Sequence, residues 1–218
     1  DMRISILVLL IVGFASLTGF GQTQQENRGE EIQTLFKNNP VRSSGGYGAI
    51  SNKFTSINGE YANMVEMYGG WYINQRFLLG LSGSATTNNL PVPSEFSALP
   101  GEDLSYEYVQ FGLATEYVIG SNRTFHLVFH LMTGAGLTVQ YDRYNFRETN
   151  HRSDNMPLDE NFFFVAEPGV QLEMNVFKWM RFSPGYSYRS VYGSDAAGLS
   201  DNDLSGSSYN LTLKFGKF

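Results

Sequence analysis

The sequence predicts an all-β fold, an antiparallel up-and-down transmembrane β-barrel of eight strands preceded by a signal-peptide helix. Three observations predict it. Apolar residues recur at every second position through long segments, short and long connections alternate between these segments, and charged residues are scarce at 17% while aromatic residues reach 15%. A typical soluble domain has about 25% charged residues. Period-two alternation indicates strands whose two faces meet different environments.

The most regular segment, FHLVFHLMTGAGLTVQY, covers Phe125–Tyr141. An apolar residue occupies every odd position except Thr133, while His126 and His130 occupy even positions. On a helix, this spacing of four would place the two imidazoles about 6 Å apart, close enough to share a zinc ion. On a strand they lie roughly 13.6 Å apart at ~3.4 Å per residue. The period of two therefore predicts a long strand, and no metal site is expected.

Eight such segments follow one another along the chain. We predict strands at Tyr47–Ser56, Glu60–Ile73, Phe77–Thr86, Leu104–Ile119, Phe125–Tyr141, Asn161–Val176, Met180–Tyr192 and Leu204–Phe218. No helical pattern is expected between them. Their lengths match or exceed the ~9–11 residues that a tilted strand needs to cross a bilayer.

The connections alternate in length. Short turns are predicted at Asn74-Gln75, Gly120–Arg123 and Asn175–Lys178, and long connections at Thr87–Asp103, Asp142–Glu160 and Gly193–Asp203. This alternation is typical of membrane barrels, with short turns on one side and long loops on the other. The first loop, INGE, differs because its Asn58-Gly59 pair favours a tight type I′ hairpin.

The N-terminal part divides into two predicted segments. Residues 1–21 have a basic start at Arg3, an uncharged apolar run over Ile4–Phe20, and the small residues Gly19 and Gly21 before a cleavage point, which is the layout of a secretory signal peptide. A membrane anchor is less consistent with so short an apolar run. Residues 22–44 form a polar lead-in, and the barrel is expected over 45–218.

Charged residues on the predicted inner face balance one another. Period-two phasing sends eight of them into the lumen: Lys53, Glu66, Glu116, Glu167, Glu173, Arg181, Arg189 and Lys214. Further polar side chains, expected to complete their contacts, are Gln110, His126, His130, Gln171 and Asn210. Because an unpaired charge in a space that excludes water is costly, we expect these groups to pair across strands. The bidentate guanidinium favours Arg181 as the centre of the network.

Aromatic residues cluster where the strands should meet the two membrane interfaces. An interface belt is predicted from Trp71, Tyr117, Phe125 and Trp179 beside the short turns, and from Tyr141 and Tyr192 beside the long loops. Belts of this kind anchor membrane barrels at the level of the lipid headgroups. Strands are enriched in aromatic residues in general, but the position of both tryptophans next to short turns favours a belt.

The segment SGGYGAISNKFTSINGEYANMVEMYGGWYIN and the ending LTLKFGKF resemble small eight-stranded outer-membrane β-barrel proteins of Bacteroidota. More broadly, the chain is similar to barrels of the OmpA/OmpX/OmpW type over roughly Thr34 to Phe218. The resemblance implies an integral protein of the Gram-negative cell outer membrane. It also implies export through the inner membrane and insertion by the outer-membrane assembly machinery, which reads a last strand ending in Phe. Phe218 departs from this pattern because it is out of phase with the apolar face of that strand.

Three classes of function remain open from the sequence. The first is a structural, adhesive or surface-binding barrel with a lumen plugged by the charge network. The second is a narrow channel for small or hydrophobic solutes, since eight strands enclose only enough space for side chains. The third is a lipid-modifying enzyme or a protease, for which only His151, with Ser153 and Asp154 nearby, would lie in a long loop. We expect a non-enzyme with no catalytic residues, no cofactor and no metal.

Composition also limits which classes of partner the protein can have. The formal net charge of −6 argues against nucleic acid. The absence of cysteine excludes disulfides and thiolate metal sites. The expected partners are outer-membrane lipid and lipopolysaccharide, the assembly machinery, and an extracellular ligand at the long loops.

Overall fold

The computed structural model describes residues 44–142 and 158–218. The predicted signal peptide, nearly all of the lead-in, and His151 lie outside the described residues. The strands are β1 Ser44–Ile57, β2 Glu60–Ile73, β3 Phe77–Thr86, β4 Leu90–Pro91, β5 Leu104–Ile119, β6 Phe125–Asp142, β7 Leu158–Phe177, β8 Met180–Tyr192 and β9 Gly206–Gly216. A 3-10 turn covers Ser94–Phe96, and a one-turn helix, α1, covers Asp201–Leu204.

Eight of these strands close into an antiparallel barrel. Each long strand pairs with its neighbour in the chain, β3 pairs with β5, and β1 pairs with β9 to complete the ring. The two-residue strand β4 adds only a short pairing to β5. The predicted all-β, up-and-down barrel is therefore confirmed. No helix in the described part of the chain is long and apolar enough to cross a membrane.

Four of the eight predicted strands have the predicted bounds, and the main error lies near β9. The prediction of no helix between the strands is wrong at Asp201–Leu204, and the last strand begins at Gly206 instead of Leu204. Ser200 forms a capping box with Asp203, which starts a helical turn within the predicted connection and extends it to Leu204, the first residue of the predicted last strand. The first, fifth and sixth predicted strands are too short. β1 begins at Ser44, opposite Ile73 and beside the β2–β3 turn, whereas β6 extends to Asp142 and β7 starts at Leu158, toward the long connection between them.

Tight turns occur where the sequence predicts them. Asn58 and Gly59 have φ angles of 52° and 77°, and Asn74 and Gln75 have φ angles of 53° and 55°. Two successive positive φ values define a type I′ turn, whose twist matches that of the strands it joins. We call the end of the barrel that carries the turns at Asn74-Gln75, Gly120–Arg123 and Asn175–Lys178 the turn end. The opposite end, which carries the long connections and the tight Asn58-Gly59 turn, is the loop end.

The two faces of the barrel wall have the predicted opposite character. On β6, Phe129 and Leu131 are 50% and 40% exposed, whereas Val128 and Met132 are fully buried. Large apolar side chains thus cover the outside, while the inside combines buried charges with apolar groups at the two ends. This distribution is the reverse of that in a soluble barrel.

The two strand prolines do not disturb the register. Pro168 lies in β7 and Pro184 in β8, and the pairing of these strands keeps one offset from Ala166↔Ser190 to Asn175↔Arg181. The offset changes only beyond Asn175, next to the turn. The inward and outward phasing of the lumen residues is therefore continuous through both strands.

Candidate functional site in the barrel lumen

All eight charged residues predicted for the lumen have buried side chains. The most exposed of them is Arg181 at 5%, and Arg189 and Lys214 are at 0%. Seven of the eight form salt bridges with one another, in two groups. The turn-side cluster consists of Glu116, Glu173, Arg181 and Lys214, and the loop-side cluster consists of Lys53, Glu66 and Glu167.

Lys214 is the centre of the turn-side cluster. Its Nζ donates to both carboxylate oxygens of Glu116 at 3.0 Å and lies 2.6 Å from Oε2 of Glu173. The prediction that Arg181 occupies the centre is wrong. The register of β9 brings Lys214 between the two carboxylates, whereas Arg181, close to the β7–β8 turn, lies at the edge of the cluster.

Arg181 joins the charge network to the aromatic residues of the turn end. Its Nη1 donates to Oε1 of Glu173 at 2.6 Å, and its guanidinium carbon lies 3.9 Å from the ring centroid of Phe218. The Nε2 atom of His126 lies 2.7 Å from the same oxygen of Glu173, and the hydroxyl of Ser183 donates to its other oxygen at 3.0 Å. Glu173 therefore has partners on both oxygens.

Glu116 is surrounded by neutral donors as well as by Lys214. The hydroxyls of Tyr47 and Tyr68 donate to its two oxygens, and the Nδ1 atom of His130 lies 3.2 Å from Oε1. Because β1, β2, β5, β6 and β9 all contribute a group, this one carboxylate links five strands. Such full coordination is what makes a buried carboxylate tolerable.

Lys53 holds the loop-side cluster together. Its Nζ lies 3.1 Å from Glu66 and 2.9 Å from Glu167. Gln110 and Ser187 donate to Glu167 at 2.7 Å and 2.6 Å. The hydroxyl of Ser82 donates to Glu66 at 2.8 Å.

Arg189 does not join the network, so the prediction that it pairs with a carboxylate is wrong among the described residues. Its guanidinium donates to the carbonyl oxygens of Leu204 at 2.6 Å and Ser56 at 3.1 Å, and lies 4.9 Å from the ring centroid of Tyr108. Arg189 faces the lumen as predicted, but at the level where the β8–β9 connection folds inward. Backbone carbonyls there replace the carboxylates.

The predicted polar residues are all buried, but they are not equally well bonded. Asn210 donates to Ser187 at 3.0 Å, whereas its Oδ1 has no partner among the described residues. Oε1 of Gln171 and Nε2 of His130 also lack one in that part of the chain.

Apolar groups close both ends of the lumen. At the loop end, Leu90, Leu199 and Leu204 from the connections pack against inward residues of the wall such as Tyr108 and Phe163. At the turn end, the apolar cluster is Tyr47, Ala49, Tyr68, Tyr72, Leu78, Ala114, Val118 and Val128, with Phe218 packed against it. Sequence reasoning placed Phe218 out of phase with the lipid face, but did not identify it or the inward tyrosines as part of the site. The available signal was their position, which is in phase with the inward-facing residues of their strands.

The six predicted belt residues lie on the outer face. Trp71, Phe125 and Trp179 are 62%, 59% and 56% exposed at the turn end. Tyr117 is also exposed there, Tyr192 is exposed at the loop end, and Tyr141 is partly buried. The indole of Trp179 stacks between Phe177 and Phe215, with ring centroids 5.5 Å and 6.1 Å apart.

Comparisons with known proteins support the fold alone. No protein-family model and no curated protein matches the chain. The crystal structure of Neisserial surface protein A is similar to this chain with a TM-score of 0.54 and 8% identity, covering 80% of this chain and 97% of that one. The N-terminal β-barrel domain of Pseudomonas aeruginosa OprF (TM-score 0.44, 12% identity) covers 78% and 96%. Ail, the attachment invasion locus protein of Yersinia pestis (TM-score 0.43, 12% identity), covers 79% and 97%.

Proposed function

We propose that the chain is an integral outer-membrane β-barrel protein with a sealed lumen, which serves as a rigid scaffold for a binding surface at its loop end. In this proposal it is inserted by the outer-membrane assembly machinery of a Gram-negative cell and contacts lipid and lipopolysaccharide. The resemblance to outer-membrane barrels of Bacteroidota is consistent with this location. The observation that carries the proposal is an apolar exterior wrapped around an interior filled with paired charges.

The dimensions of the exterior fit a bilayer. On β2, the outward residues between Tyr61 and Trp71 are apolar except for Asn63. Ten residues at ~3.3 Å each, on a strand tilted by about 40°, span about 25 Å along the barrel axis. This equals the apolar band of outer-membrane barrels, about 25 Å.

Contacts among the described residues support the proposal of a closed lumen. The two salt-bridged clusters fill its middle, and the apolar clusters close both ends. Each charge in these clusters already has protein partners. The clusters therefore hold the strands in register but leave no charge free to select a passing ion. We therefore propose that the network is structural.

The described part of the loop end is organised well enough to present a fixed surface. Asp201 accepts from the backbone amides of Gly193 at 3.0 Å and Ser194 at 2.7 Å. Asp159 accepts from the amide of Ala197 at 3.0 Å, which ties the β8–β9 connection to β7. A surface held by such bonds loses little conformational entropy on binding. This order supports a surface-binding or adhesive role.

The described histidines do not support an enzyme. His126 and His130 each contact a buried carboxylate, and no serine or threonine hydroxyl in the described residues bonds to either imidazole. A nucleophile needs a base within hydrogen-bond reach. We therefore propose that the protein is not an enzyme.

A narrow channel is the second candidate, and a specific observation favours it. Among the described residues, six lumen-facing atoms are buried without a partner, on Ser84, His130, Thr138, Gln171, Ser208 and Asn210. Buried polar atoms of this kind commonly bind internal water. A connected file of such waters would let water or protons pass without opening the salt bridges.

Cell fractionation and gel mobility test the proposed barrel. We expect the protein in the outer-membrane fraction, with unboiled protein migrating differently from boiled protein because a closed barrel has no edge at which to unfold. Proton flux into liposomes that contain a pH-sensitive dye then separates the two candidates. A sealed scaffold leaves an imposed pH gradient to decay at the rate of protein-free liposomes, whereas faster decay that depends on the protein would favour the channel.

A further inference from the structure

Each basic side chain in the described part of the protein is either buried or exposed, and none is partly buried. Lys53, Arg181, Arg189 and Lys214 are buried in the lumen. The other four are exposed, and all lie at the turn end; we call them the basic rim: Arg76, Arg123, Lys178 and Lys217. Three more basic residues, Arg143, Arg147 and Arg152, belong to the connection 143–157, outside the described residues.

The described acidic residues show the opposite distribution. Four are buried in the lumen. The remaining acids whose side chains are described all lie at the loop end: Glu60, Glu95, Glu102, Asp103, Glu107, Asp159, Glu160, Asp195, Asp201 and Asp203. Within the described residues, the barrel is therefore positive at its turn end and negative at its loop end.

The basic rim has one member at each place where the wall reaches the turn end. Arg76 lies in the β2–β3 turn, Arg123 in the β5–β6 turn, and Lys178 in the β7–β8 turn. Lys217 follows β9, where its backbone amide donates to the carbonyl oxygen of Gly46 on β1 at 3.0 Å. The four side chains are thus distributed around the whole circumference instead of converging on one pocket.

The backbone of the rim is fixed while its charges remain available. The amide of Arg76 donates to Ile73 at 3.1 Å, and its carbonyl oxygen accepts from Val118 at 2.7 Å. The carbonyl oxygen of Arg123 accepts from the Asn175 side chain at 2.8 Å. None of the four basic side chains forms a salt bridge with another described residue.

Exposed aromatic rings place the rim at the depth of lipid headgroups. Lys178 precedes Trp179, Arg76 precedes Phe77, and Arg123 is two residues before Phe125. These rings are 56%, 38% and 59% exposed on the outer face. Aromatic belts lie at the boundary between hydrocarbon and headgroups, so basic side chains one step beyond them reach the lipid phosphates.

We infer that the basic rim is a binding surface for anionic phospholipid headgroups of the leaflet at the turn end. Its ligand is the phosphate of a lipid such as phosphatidylglycerol, which carries a net negative charge that phosphatidylcholine lacks. Each basic residue near a membrane surface strengthens the attraction to anionic lipid by about fivefold. The inference rests on the proposed membrane location, and it predicts a preference for anionic lipid at one end of the barrel only.

The two tryptophans of the protein provide a local probe of this surface. Trp71 and Trp179 are both exposed on the outer face at the turn end, and Trp179 is next to Lys178. The full-length protein is folded into vesicles of phosphatidylcholine mixed with phosphatidylglycerol, with bromine on the acyl chains of only one lipid at a time. Bromine quenches indole fluorescence at short range, so quenching reports which lipid lies beside the rim.

We expect brominated phosphatidylglycerol to quench beyond its mole fraction, with a relative binding constant at least about fivefold above that of phosphatidylcholine at low salt. The preference should weaken as salt is raised. The variant R76Q/R123Q/K178Q/K217Q should bring the ratio to about one. The matched control E60Q/E102Q/D103N/E160Q removes the same number of charges at the loop end and should retain the preference.

Other outcomes have distinct meanings. Quenching by phosphatidylglycerol that only follows its mole fraction, in protein quenched normally by brominated phosphatidylcholine, would overturn the inference and leave the membrane location intact. An absence of quenching by either lipid would contradict the proposed function itself. Loss of the preference on addition of soluble glycerol phosphate, at constant ionic strength, would show that the rim binds free phosphate and would overturn the assignment to lipid.

Discussion

Replacing Lys214 by methionine tests whether the lumen depends on its paired charges. Methionine has nearly the same length as lysine but carries no charge, so Lys214→Met leaves Glu116 and Glu173 without the cation between them. The Nζ atom of Lys214 lies 3.0 Å from Glu116 and 2.6 Å from Glu173, and its side chain is 0% exposed. Breaking a buried pair by removing one partner costs about 3–5 kcal/mol.

Glu173 retains Arg181 at 2.6 Å, so most of this cost should arise at Glu116, which keeps only neutral donors and His130. The assay is equilibrium unfolding in denaturant from phosphatidylcholine vesicles, followed by tryptophan fluorescence and by the mobility of unboiled samples. We expect a loss of about 3–5 kcal/mol for Lys214→Met. The exposed Lys217→Met should stay within about 0.5 kcal/mol of the wild type.

A double variant distinguishes lost charge pairing from lost packing. Adding Glu116→Gln to Lys214→Met removes the uncompensated carboxylate, so the double variant should be less destabilised than the sum of the two single variants, by about 0.5–3 kcal/mol. If Lys214→Met costs no more than Lys217→Met, the lysine is not a buried charge between two carboxylates and the reasoning fails. Strict additivity would show that Lys214 acts through packing alone.

Three further predictions concern the lipid face, the wall and the loop end. Leu131→Arg, on the outer face, should cost about 2–4 kcal/mol near the bilayer midplane, while Asn202→Arg, at an exposed position of α1, should cost little; equal losses would mean that Leu131 does not face hydrocarbon. Gly112→Ala should destabilise the barrel by about 1–3 kcal/mol, because the added Cβ would lie 2.1 Å from the carbonyl oxygen of Thr133. Gly83→Ala is the control, because its added Cβ would meet no atom closer than 3.9 Å. A tolerated Gly112→Ala would contradict the close approach of β5 and β6 at this position. Arg189→Met should release the β8–β9 connection and increase its cleavage by protease, and unchanged cleavage would show that the guanidinium does not hold it.

Period two was sufficient to predict the strands and the direction of nearly every side chain. An odd or even position in the strand decides which face a residue occupies, so the seven charged members of the two lumen clusters could be identified before their geometry was known. The alternation does not show how far one strand is shifted along the barrel axis relative to another. This shift places Lys214, and not Arg181, between two carboxylates.

The errors in prediction occur where local hydrogen bonding replaces strand pairing. Ser200 and Asp203 form a capping box that turns the chain into α1. The carbonyl oxygen of Leu204 then accepts from Arg189, which was expected to find a carboxylate. A capping box can be recognised in sequence, but it is easily overlooked beside a strong strand pattern. Nothing in the sequence shows that the connection folds back into the barrel mouth.

Single-channel recording of the wild-type protein in planar bilayers is the most direct measurement of the central claim, a membrane barrel sealed by its own charges. The salt bridges of Lys53 and Lys214 and the apolar clusters at both ends predict little or no steady conductance in concentrated salt. Insertion is verified in the same preparation by heat-modifiable gel mobility, so that a silent bilayer reports a sealed barrel and not an absent one. A large, stable conductance of porin size would contradict the account.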